Sequence, residues 1–378
     1  LTGRYQQRFG HEFNPPGVTP TNGVPAGLDL RETTLADRLR AAGYRTAAIG
    51  KWHLGNTEPF SPLHRGFDEF FGFHGAAHSY TNPGVATQNP IRRGRVPEDE
   101  KEYLTSAFTR EAVSFIKRSS GQPFFLYLAY NAVHSPMDVP PGTEERFGHI
   151  ADRKRRAFAG LLTALDDGVG QVLGALATRG LDDNTLVVFF SDNGGATADN
   201  GSRNTPLRGY KFETWEGGIR VPFAIRWKSR IPAGRVYEPP VIQLDLHATA
   251  LAAAGVGVKP EWNLDGVDLV PFVTGERDGV PHESLYWRFG RQYAIRQGDW
   301  KLVLGGTNAA PQLFNLAEDL EESNDRSAAE PVRVRDLQAA WDQWNRTLAA
   351  PTWPPRVDPA FAAEAGSLRR PNPSATTP

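Results

Sequence analysis

Six polar side chains in this 378-residue chain have the types and the spacing needed for chemistry on an anion. They are two lysines, two histidines and an adjacent acid and amide: Lys51, His53, His134, Lys211, Asp192 and Asn193. A neighbouring carboxylate and amide offer hard oxygen ligands, which suit Ca²⁺ or Mg²⁺ and suit zinc less well. Lysines and histidines around such an ion would suit a tetrahedral anionic ester whose developing charge must be neutralised. The set is therefore a candidate site for hydrolysis of such an ester.

Each of these residues also has an ordinary structural interpretation. The stretch 192–195, Asp-Asn-Gly-Gly, is typical of a turn. Lys51 is explained as a solvated lysine, and Lys211 as the partner of a nearby glutamate. His53 is explained as a half-buried packed histidine, and His134 as a loop residue that caps a turn. Both interpretations stay open for each residue alone, and their recurrence along the chain favours the functional one.

The candidate residues follow three predicted strands, at 46–49, 124–130 and 185–190. The last strand has six consecutive apolar or β-branched residues, which predicts burial on both faces inside a parallel sheet. All three strands run directly into polar residues. Because chemistry in an open α/β sheet gathers outside the carboxyl ends of the strands, we expect these residues to meet in one pocket.

Helical patterns alternate with these strands, at about 33–42, 103–117, 152–178 and 243–254. Thr34 is the expected cap of the first helix, and the third keeps its apolar residues close to the 3.6-residue period. The alternation predicts an α/β fold, with a mostly parallel central sheet flanked by helices. Segments 1–28 and 56–100 are predicted as loops.

A change of pattern near residue 281 predicts a second, smaller unit. Short strand-like pieces lie at 286–287, 292–296 and 301–304, and an amphipathic helix follows at about 332–348. We therefore divide the chain into an α/β domain at 1–280, an antiparallel sheet and helix at 281–350, and a tail at 351–378. The tail is rich in Pro and Ala and is expected to be poorly ordered.

Composition excludes several function classes. A formal net charge of -1 gives no global field that would recruit nucleic acid or an acidic membrane. No apolar run reaches the length of a membrane span. Zero cysteines exclude disulfides and thiolate metal sites within this sequence. The composition is typical of a loop-rich globular enzyme, with 38 Gly and 30 Pro, and it leaves the oligomeric state open.

Three motifs, in this order, resemble those of the type I, formylglycine-dependent sulfatases of the alkaline-phosphatase-like superfamily. They are Gly50-Lys-Trp-His-Leu-Gly55, Ser191-Asp-Asn-Gly-Gly195 and Leu207-Arg-Gly-Tyr-Lys-Phe-Glu-Thr-Trp-Glu-Gly-Gly-Ile-Arg220. Leu1-Thr-Gly-Arg4 resembles the end of the signature in which a Cys or Ser becomes formylglycine. The segment 312–324 is similar to the family's C-terminal motif, with Phe314-Asn315 as a departure. The resemblance runs from residue 1 to about 348 and implies a sulfuric ester hydrolase.

The resemblance also implies roles for the cationic residues. Lys51 and Lys211 would hold the sulfate oxygens, and Lys51 would also contact the formylglycine hydrate. His134 would protonate the departing alcohol. His53 would accept a proton when the aldehyde is regenerated. The chemistry needs such groups in any case, because S–O cleavage requires an in-line nucleophile, cations on the equatorial oxygens and an acid for the leaving group.

Two cofactors follow from the same resemblance. Asp192 and Asn193 would be two ligands of a calcium ion, in preference to magnesium. The formylglycine, together with the paired aspartates of a first strand, is expected upstream of Leu1. We therefore expect the sequence as printed to lack its nucleophile, to be inactive alone and to show a gap in its sheet.

The substrate is expected to be a small-molecule or glycan sulfate ester, either a sulfated sugar or an aryl sulfate. Segment 71–80 resembles a loop that family members place over the pocket, so His74, His78 and Arg288 are candidate substrate contacts. With Tyr80 and Trp287 they could form a sugar subsite. Ordinary packing is the alternative for each. A phosphate or phosphonate ester hydrolase of the same superfamily, or a non-catalytic sulfated-glycan-binding homologue, are the alternative functions. The family implies a periplasmic or secreted protein.

Overall fold

The computed structural model describes residues 1–15, 26–81, 88–306 and 308–355. The strands are β1 (Arg45–Lys51), β2 (Glu69–Phe73), β3 (Arg92–Arg93), β4 (Val96–Pro97), β5 (Phe124–Ala129), β6 (Val187–Phe190), β7 (Phe223–Arg226), β8 (Ser284–Phe289), β9 (Gln292–Gln297), β10 (Trp300–Leu304) and β11 (Gln312–Asn315). The α-helices are α1 (Leu35–Ala41), α2 (Leu104–Arg118), α3 (Thr143–Phe147), α4 (Arg153–Thr178), α5 (Thr197–Asn200), α6 (Glu216–Ile219), α7 (Asp245–Ala253), α8 (Val270–Thr274) and α9 (Pro331–Asn345). None of the helices described is long and apolar enough to cross a membrane.

The largest sheet has the strand order β4-β3-β2-β1-β5. β1 lies parallel to both β2 and β5, and the short β3 and β4 add an antiparallel edge. Helices α2 and α4 pack against this sheet around buried Phe73, Phe108 and Leu161. The predicted α/β fold with a mostly parallel central sheet is confirmed.

Local sequence signals account for the helix starts. Thr34 caps α1 as predicted, because its hydroxyl accepts from the Asp37 N–H while the Asp37 carboxylate accepts from the Thr34 N–H. Asp152 caps α4 by accepting from the N–H groups of Lys154 and Arg155. Each cap satisfies donors that would otherwise be unpaired in the first turn.

The predicted loop at 56–100 is wrong in part, because it contains β2, β3 and β4. β2 runs beside β1 in parallel register, and its Phe70, Phe71 and Phe73 are buried. A strand this short, covered on both faces and interrupted by Gly72, shows no period-2 alternation. The sequence pattern therefore does not distinguish it from a loop.

The strand predicted at 185–190 is present as β6, but its predicted burial on both faces within a parallel sheet is wrong. β6 pairs antiparallel with β7, and Phe189 is 43% exposed. Within the described chain β6 pairs on one side only, and so does β5, which pairs with β1. Burial of a strand depends on its neighbours as well as on its own apolarity, so an apolar run can predict the strand without its surroundings.

The C-terminal unit is a four-stranded antiparallel sheet of order β11-β10-β9-β8, and α9 packs on it through Leu337, Trp341 and Trp344. Strand β11 was not predicted. A boundary near 280 stays a prediction, because the N-terminal segment packs on this unit as well. Tyr5 lies in the same buried cluster, which also corrects the predicted surface loop at 1–28.

The predicted C-terminal tail is only partly described. Residues 356–378 lie outside the described residues, as do 16–25 in the N-terminal segment. Before that point Trp353 is buried, and its indole N–H donates to the carbonyl oxygens of Phe13 and Asn14 at 2.9 and 3.0 Å. The first residues of the tail thus hold the N-terminal segment.

Candidate functional site

Lys51 ends β1 at the carboxyl edge of the central sheet. The preceding Gly50 has φ +114°, and a Cβ there would collide with the carbonyl oxygen of Ala129 at the end of β5. Only glycine permits both the backbone conformation and this close approach. The ends of β1 and β5 therefore lie side by side, and Lys51 faces the segment that follows β5.

His53 lies just beyond β1 in a left-handed conformation, φ 54°, which is uncommon for a residue with a side chain. Its N–H donates to the carbonyl oxygen of His74 at 2.9 Å, so the loop after β1 stays beside the end of β2. Burial lowers the pKa of His53 to about 3, and the positive charges of Lys51 and Lys211 add to that effect. His53 is neutral at pH 7 in this state.

His134 follows β5 in a loop held by a buried tyrosine. The hydroxyl of Tyr80 donates to the carbonyl oxygens of Asn131 and His134, both at 2.8 Å, and Tyr80 has no exposed surface. His134 Nδ1 lies 2.7 Å from the Ser135 carbonyl oxygen, which favours the tautomer with a proton on Nδ1. Nε2 is then the atom that can take up and deliver a further proton.

The pKa of His134 is set by burial, by one hydrogen bond and by the charges around it. Burial lowers it, the Ser135 carbonyl raises it, and the charges of Lys211 and Lys51 lower it again, while Asp192 raises it. His134 therefore lies within electrostatic reach of both lysines and the carboxylate.

The turn that carries Asp192 is tied to the loop that carries Lys211. The Gly194 N–H donates to the Gly218 carbonyl oxygen at 2.9 Å, and the Lys211 N–H donates to the Gly195 carbonyl oxygen at 3.2 Å. A Cβ at Gly194 would collide with the backbone of Gly217. The two segments are thus in backbone contact and move as one piece.

Electrostatic coupling connects the five charged or titratable candidates. Burial lowers the pKa of Lys51, Asp192 raises it and Lys211 lowers it. His53 and His134 respond to the same two lysines. Two lysines, two neutral histidines and one carboxylate thus lie within electrostatic reach of one another, which is compatible with binding of an anion that has a protonatable leaving group.

Asp192 and Asn193 offer the oxygen atoms that a hard cation needs. Within the described part of the chain Asp192 has no hydrogen bond or ion pair, and its side chain is exposed. Asn193 donates from Nδ2 to the Gly194 carbonyl oxygen at 2.9 Å, which leaves Oδ1 as an acceptor. No group of three or more His, Cys, Asp or Glu that could hold a metal occurs among the residues described. The pair therefore fits as part of a ligand set, since calcium takes about six to eight oxygens.

His74 and His78 lie next to the site but are packed on aromatic rings. His74 stacks on Phe70 with centroids 5.2 Å apart, and burial lowers its pKa to about 4. His78 lies 5.1 Å from the Phe73 ring and is 7% exposed. The Nε2 atoms of both histidines are buried and have no hydrogen-bond partner among the described residues. Their contact with substrate stays a prediction.

Arg288 serves a structural purpose that the sequence did not reveal. It forms an ion pair with Glu12 at 2.6 Å and donates to Asn345 Oδ1 and to the Ala349 carbonyl oxygen. Its donors thus bind the N-terminal segment and the chain after α9 to β8. This placement favours the packing interpretation. Contact between Arg288 and substrate stays a prediction.

The glutamates near Lys211 are used elsewhere. Glu216 accepts from Lys301, at 2.8 Å, and Glu213 accepts from the Tyr210 N–H at 3.1 Å. The Lys211 amine lies 5.2 Å from the Phe212 ring. The alternative in which Lys211 pairs with Glu216 is therefore not what the structure shows.

Two nearby residues were missed or misjudged. Tyr80 was considered for a sugar subsite, but it is fully buried and positions the His134 loop. His11 was not considered, although its charge acts on His53 and its ring lies 5.0 Å from Trp353. Both depend on contacts between distant parts of the chain, for which the local sequence carries no signal.

Comparison with known proteins decides the family. The sequence model of the Sulfatase family matches residues 1–256. The chain belongs to the sulfatase family. This confirms the predicted kind of enzyme, and the motifs that suggested it lie inside or next to the matched region.

The relatives of this sulfatase-family chain include named enzymes. It is 30% identical over 402 residues to the uncharacterized sulfatase YdeN of Escherichia coli K12, covering 89% of this chain and 69% of that protein. It is 33% identical over 327 residues to the N-acetylgalactosamine-6-sulfatase of Canis lupus familiaris, covering 80% of this chain. The chain spans 60% of the length of that enzyme.

The fold is shared with solved sulfatase structures. The crystal structure of Ps i-CgsB in complex with k-i-k-neocarrahexaose superimposes with a TM-score of 0.87 and 34% identity, covering 97% of this chain and 85% of that one. PsFucS1 sulfatase from Pseudoalteromonas sp. superimposes with a TM-score of 0.76 and 24% identity, which shows the fold alone. It covers 91% of this chain and 78% of that chain.

Proposed function

We propose that this sulfatase-family chain forms the anion-binding and proton-transfer site of a sulfuric ester hydrolase. The observation that supports the proposal is the electrostatic influence of Lys51 and Lys211 on His53 and His134, and of Asp192 on Lys51 and His134. Family membership supplies the choice of sulfate over other anions.

Two lysines bind the sulfate group. Burial lowers the pKa of Lys51 in the free protein, and the nearby charge of Lys211 lowers it further, while Asp192 raises it. A bound anion between them removes this repulsion. Sulfate ester binding is therefore favoured by charge that the folded chain already holds in place, and the same charge stabilises the transition state as the S–O bond lengthens.

Two histidines handle the protons. His134 and His53 are both depressed in pKa while the anion is absent. A bound sulfate ester brings negative charge next to His134, which raises its pKa and allows Nε2 to hold the proton that the departing alcohol needs. His53, closer in sequence to Lys51, stays neutral and serves as the base in the return step.

Calcium and formylglycine complete the proposed site. When bound, calcium would polarise the sulfate oxygens and the formylglycine hydrate would supply the nucleophilic oxygen. The free carboxylate of Asp192 and Oδ1 of Asn193 would provide part of the calcium ligand set.

The substrate class follows from the relatives and is part of the proposal. Relatives are named N-acetylgalactosamine-6-sulfatase, and one similar structure holds an oligosaccharide, k-i-k-neocarrahexaose. We infer a sulfated sugar in preference to a simple aryl sulfate. A periplasmic or secreted location rests on family membership alone.

The test is a paired assay of the full-length protein with its matured nucleophile. We expect release of sulfate from sulfated oligosaccharides and, more slowly, from an aryl sulfate, with loss of activity after chelation and recovery on addition of calcium. A matched phosphate ester should turn over much more slowly. Faster turnover of the phosphate ester would favour the alternative hydrolase, and binding of sulfated glycan without turnover would favour the non-catalytic homologue.

A further inference from the structure

A buried group of three charges lies under the loop that carries Lys211. Lys301 on β10 lies 2.8 Å from Oε1 of Glu216 and 2.8 Å from Oε1 of Glu322. The Lys301 and Glu322 side chains have no exposed surface, and that of Glu216 is 4% exposed. Burying three ionisable groups away from water costs free energy unless the groups pair with one another. The presence of this triad therefore needs a physical explanation.

The contacts within this triad are unequal. Among the residues that the structure describes, Lys301 has hydrogen-bond geometry toward Glu216 alone, and Glu322 Oε1 has no hydrogen-bond partner. The second carboxylate oxygen of Glu322 accepts from the backbone N–H of Glu216 at 2.7 Å. Glu322 therefore holds the first residue of α6 through its backbone, while Lys301 holds the same residue through its side chain.

Glu322 is itself fixed in place. Its φ of 55° is left-handed, an unfavourable conformation that surrounding contacts must maintain. Its carbonyl oxygen accepts from Arg208 at 3.0 Å, and Arg208 lies over the Trp215 ring at 3.7 Å. Glu322, a residue of the C-terminal unit, thus bonds the loop 207–219 near its beginning, at Arg208, and near its end, at Glu216.

Helix α6 connects these contacts to the candidate site. The Gly218 carbonyl oxygen, two residues after Glu216, accepts from the Gly194 N–H, directly after Asn193. The neighbouring Gly195 accepts from the Lys211 N–H. Hydrogen bonds, linked by the short backbone segments 216–218 and 194–195, therefore connect Lys301 to the turn of Asp192 and Asn193 and to Lys211.

We propose that Lys301, Glu216 and Glu322 are positioning residues through which the C-terminal sheet sets the place of Lys211 and of the Asp192–Asn193 turn. None of the three needs to touch substrate. The anion-binding Lys211 lies on a loop that β10 and the segment after β11 hold in place. The C-terminal unit therefore contributes to the reaction by positioning that lysine. The inference rests on the proposed function for its catalytic consequence and on geometry alone for the anchor itself.

The first test is kinetic and uses the full-length protein with its matured nucleophile. Lys301→Met keeps the side-chain length and removes the cation, and we expect kcat/KM on para-nitrophenyl sulfate to fall by about 10²-fold, as for a misplaced catalytic group. The double variant Lys301→Met, Lys211→Ala should be no slower than Lys211→Ala alone, because both changes remove the same contact with the anion. A purely structural Lys301 would give effects that multiply.

The second test does not depend on catalysis. Hydrogen–deuterium exchange of the Gly194 and Lys211 amides should be faster in Lys301→Met than in the wild type. Asp182→Asn is the matched control, since Asp182 is a buried acid that pairs with Arg226 at 2.6 Å. It should lower stability without changing either exchange at these amides or kcat/KM.

The two tests separate the possible failures. If Lys301→Met does not fold, Glu322→Gln, which keeps an acceptor for the Glu216 N–H, takes its place with the same readouts. An inactive wild type would overturn the proposed function, while exchange would still decide on the anchor. If Lys301→Met behaves like Asp182→Asn in exchange, the triad does not position Lys211.

Discussion

Lys211 is a cation without an ion-pair partner among the residues described, placed beside a second lysine and two histidines. We expect Lys211→Ala in the full-length protein to lower kcat on an aryl sulfate by about 10²–10³-fold, the usual cost of removing one group from a preorganised anion site. The free energy of unfolding should change by no more than about 0.5 kcal/mol, as for other substitutions near the surface.

Lys259 provides the control for that substitution. Its amine lies 5.9 Å from the Trp262 ring, comparable with the 5.2 Å between Lys211 and Phe212. Lys259→Ala should leave kcat unchanged. Equal turnover in wild type and Lys211→Ala would remove Lys211 from the mechanism.

His134 should take up a proton when sulfate binds. In the free protein burial, Lys211 and Lys51 together hold its pKa below 6.5, against the opposing effects of Ser135 and Asp192. A bound anion raises that pKa, so between the two values binding consumes a proton and affinity for inorganic sulfate rises as pH falls from about 7. Calorimetry in buffers with different ionisation enthalpies measures the uptake. His134→Gln should flatten the pH dependence, and a flat profile in the wild type would show that His134 does not face the anion.

At the scale of elements, one buried hydroxyl bonds the loop after β5 at two of its carbonyl oxygens. Tyr80→Phe leaves the Asn131 and His134 carbonyl oxygens without that donor, at a cost of about 1–3 kcal/mol in unfolding free energy. Because His134 lies on that loop, kcat/KM should fall by about tenfold, within the range typical of small misplacements.

Tyr103→Phe is the matched change for Tyr80→Phe. Tyr103 stacks on Tyr80 with centroids 5.7 Å apart and donates to the carbonyl oxygen of Asp138 at 3.1 Å, farther along the same loop and not at His134 itself. It should cost stability and leave kcat/KM close to the wild-type value. A Tyr80 variant with normal kcat/KM would mean that the loop is held by its own backbone.

The elements that sequence predicts well are those whose signals are local. α1 has its cap at Thr34, and the apolar period of α4 matches its observed span. β2 was missed because burial on both faces removes alternation, and β6 was placed in the wrong surroundings because its pairing depends on residues far away in the chain. Strand type and pairing are set by tertiary contacts more than by propensity.

The site shows the same division at the scale of the molecule. The motifs around Lys51, Asp192 and Lys211 could be found because their residue types are unusual where a strand ends. The residues that hold them, such as Tyr80 and Glu322, are ordinary in sequence and are linked to the site only through contacts across the fold. The sequence therefore identified the residues that could carry the chemistry, but not the residues that hold them in place.

We expect the stability of the protein to decrease with falling pH before most of its carboxylates are protonated. Burial lowers the pKa of His11, His74 and His247 to about 4 in the folded chain, against 6.5 for the free side chain. The unfolded state then binds more protons between pH 6.5 and 4, so stability falls as pH decreases through that window. For His247, 2% exposed, the shift corresponds to about 3 kcal/mol.

Thermal unfolding of the full-length protein at pH 7.5, 6, 5 and 4 measures this slope, where the chosen pH values span the roughly 4–6.5 window of the histidines. We expect a steady decrease in Tm toward low pH, and a smaller decrease in His74→Phe, which keeps the stacking on Phe70. A Tm that is constant down to pH 4 would show that these histidines are protonated in the folded protein.

The central claim is that Lys51 and Lys211 bind one and the same anion. A crystal structure of the full-length protein soaked with selenate, located by its anomalous scattering, tests it most directly. We expect a single tetrahedral anion with both lysine amines within hydrogen-bond distance, with His134 beside it and the Asp192 carboxylate on the adjoining side. An anion bound elsewhere, or two anions that each contact one lysine, would contradict it.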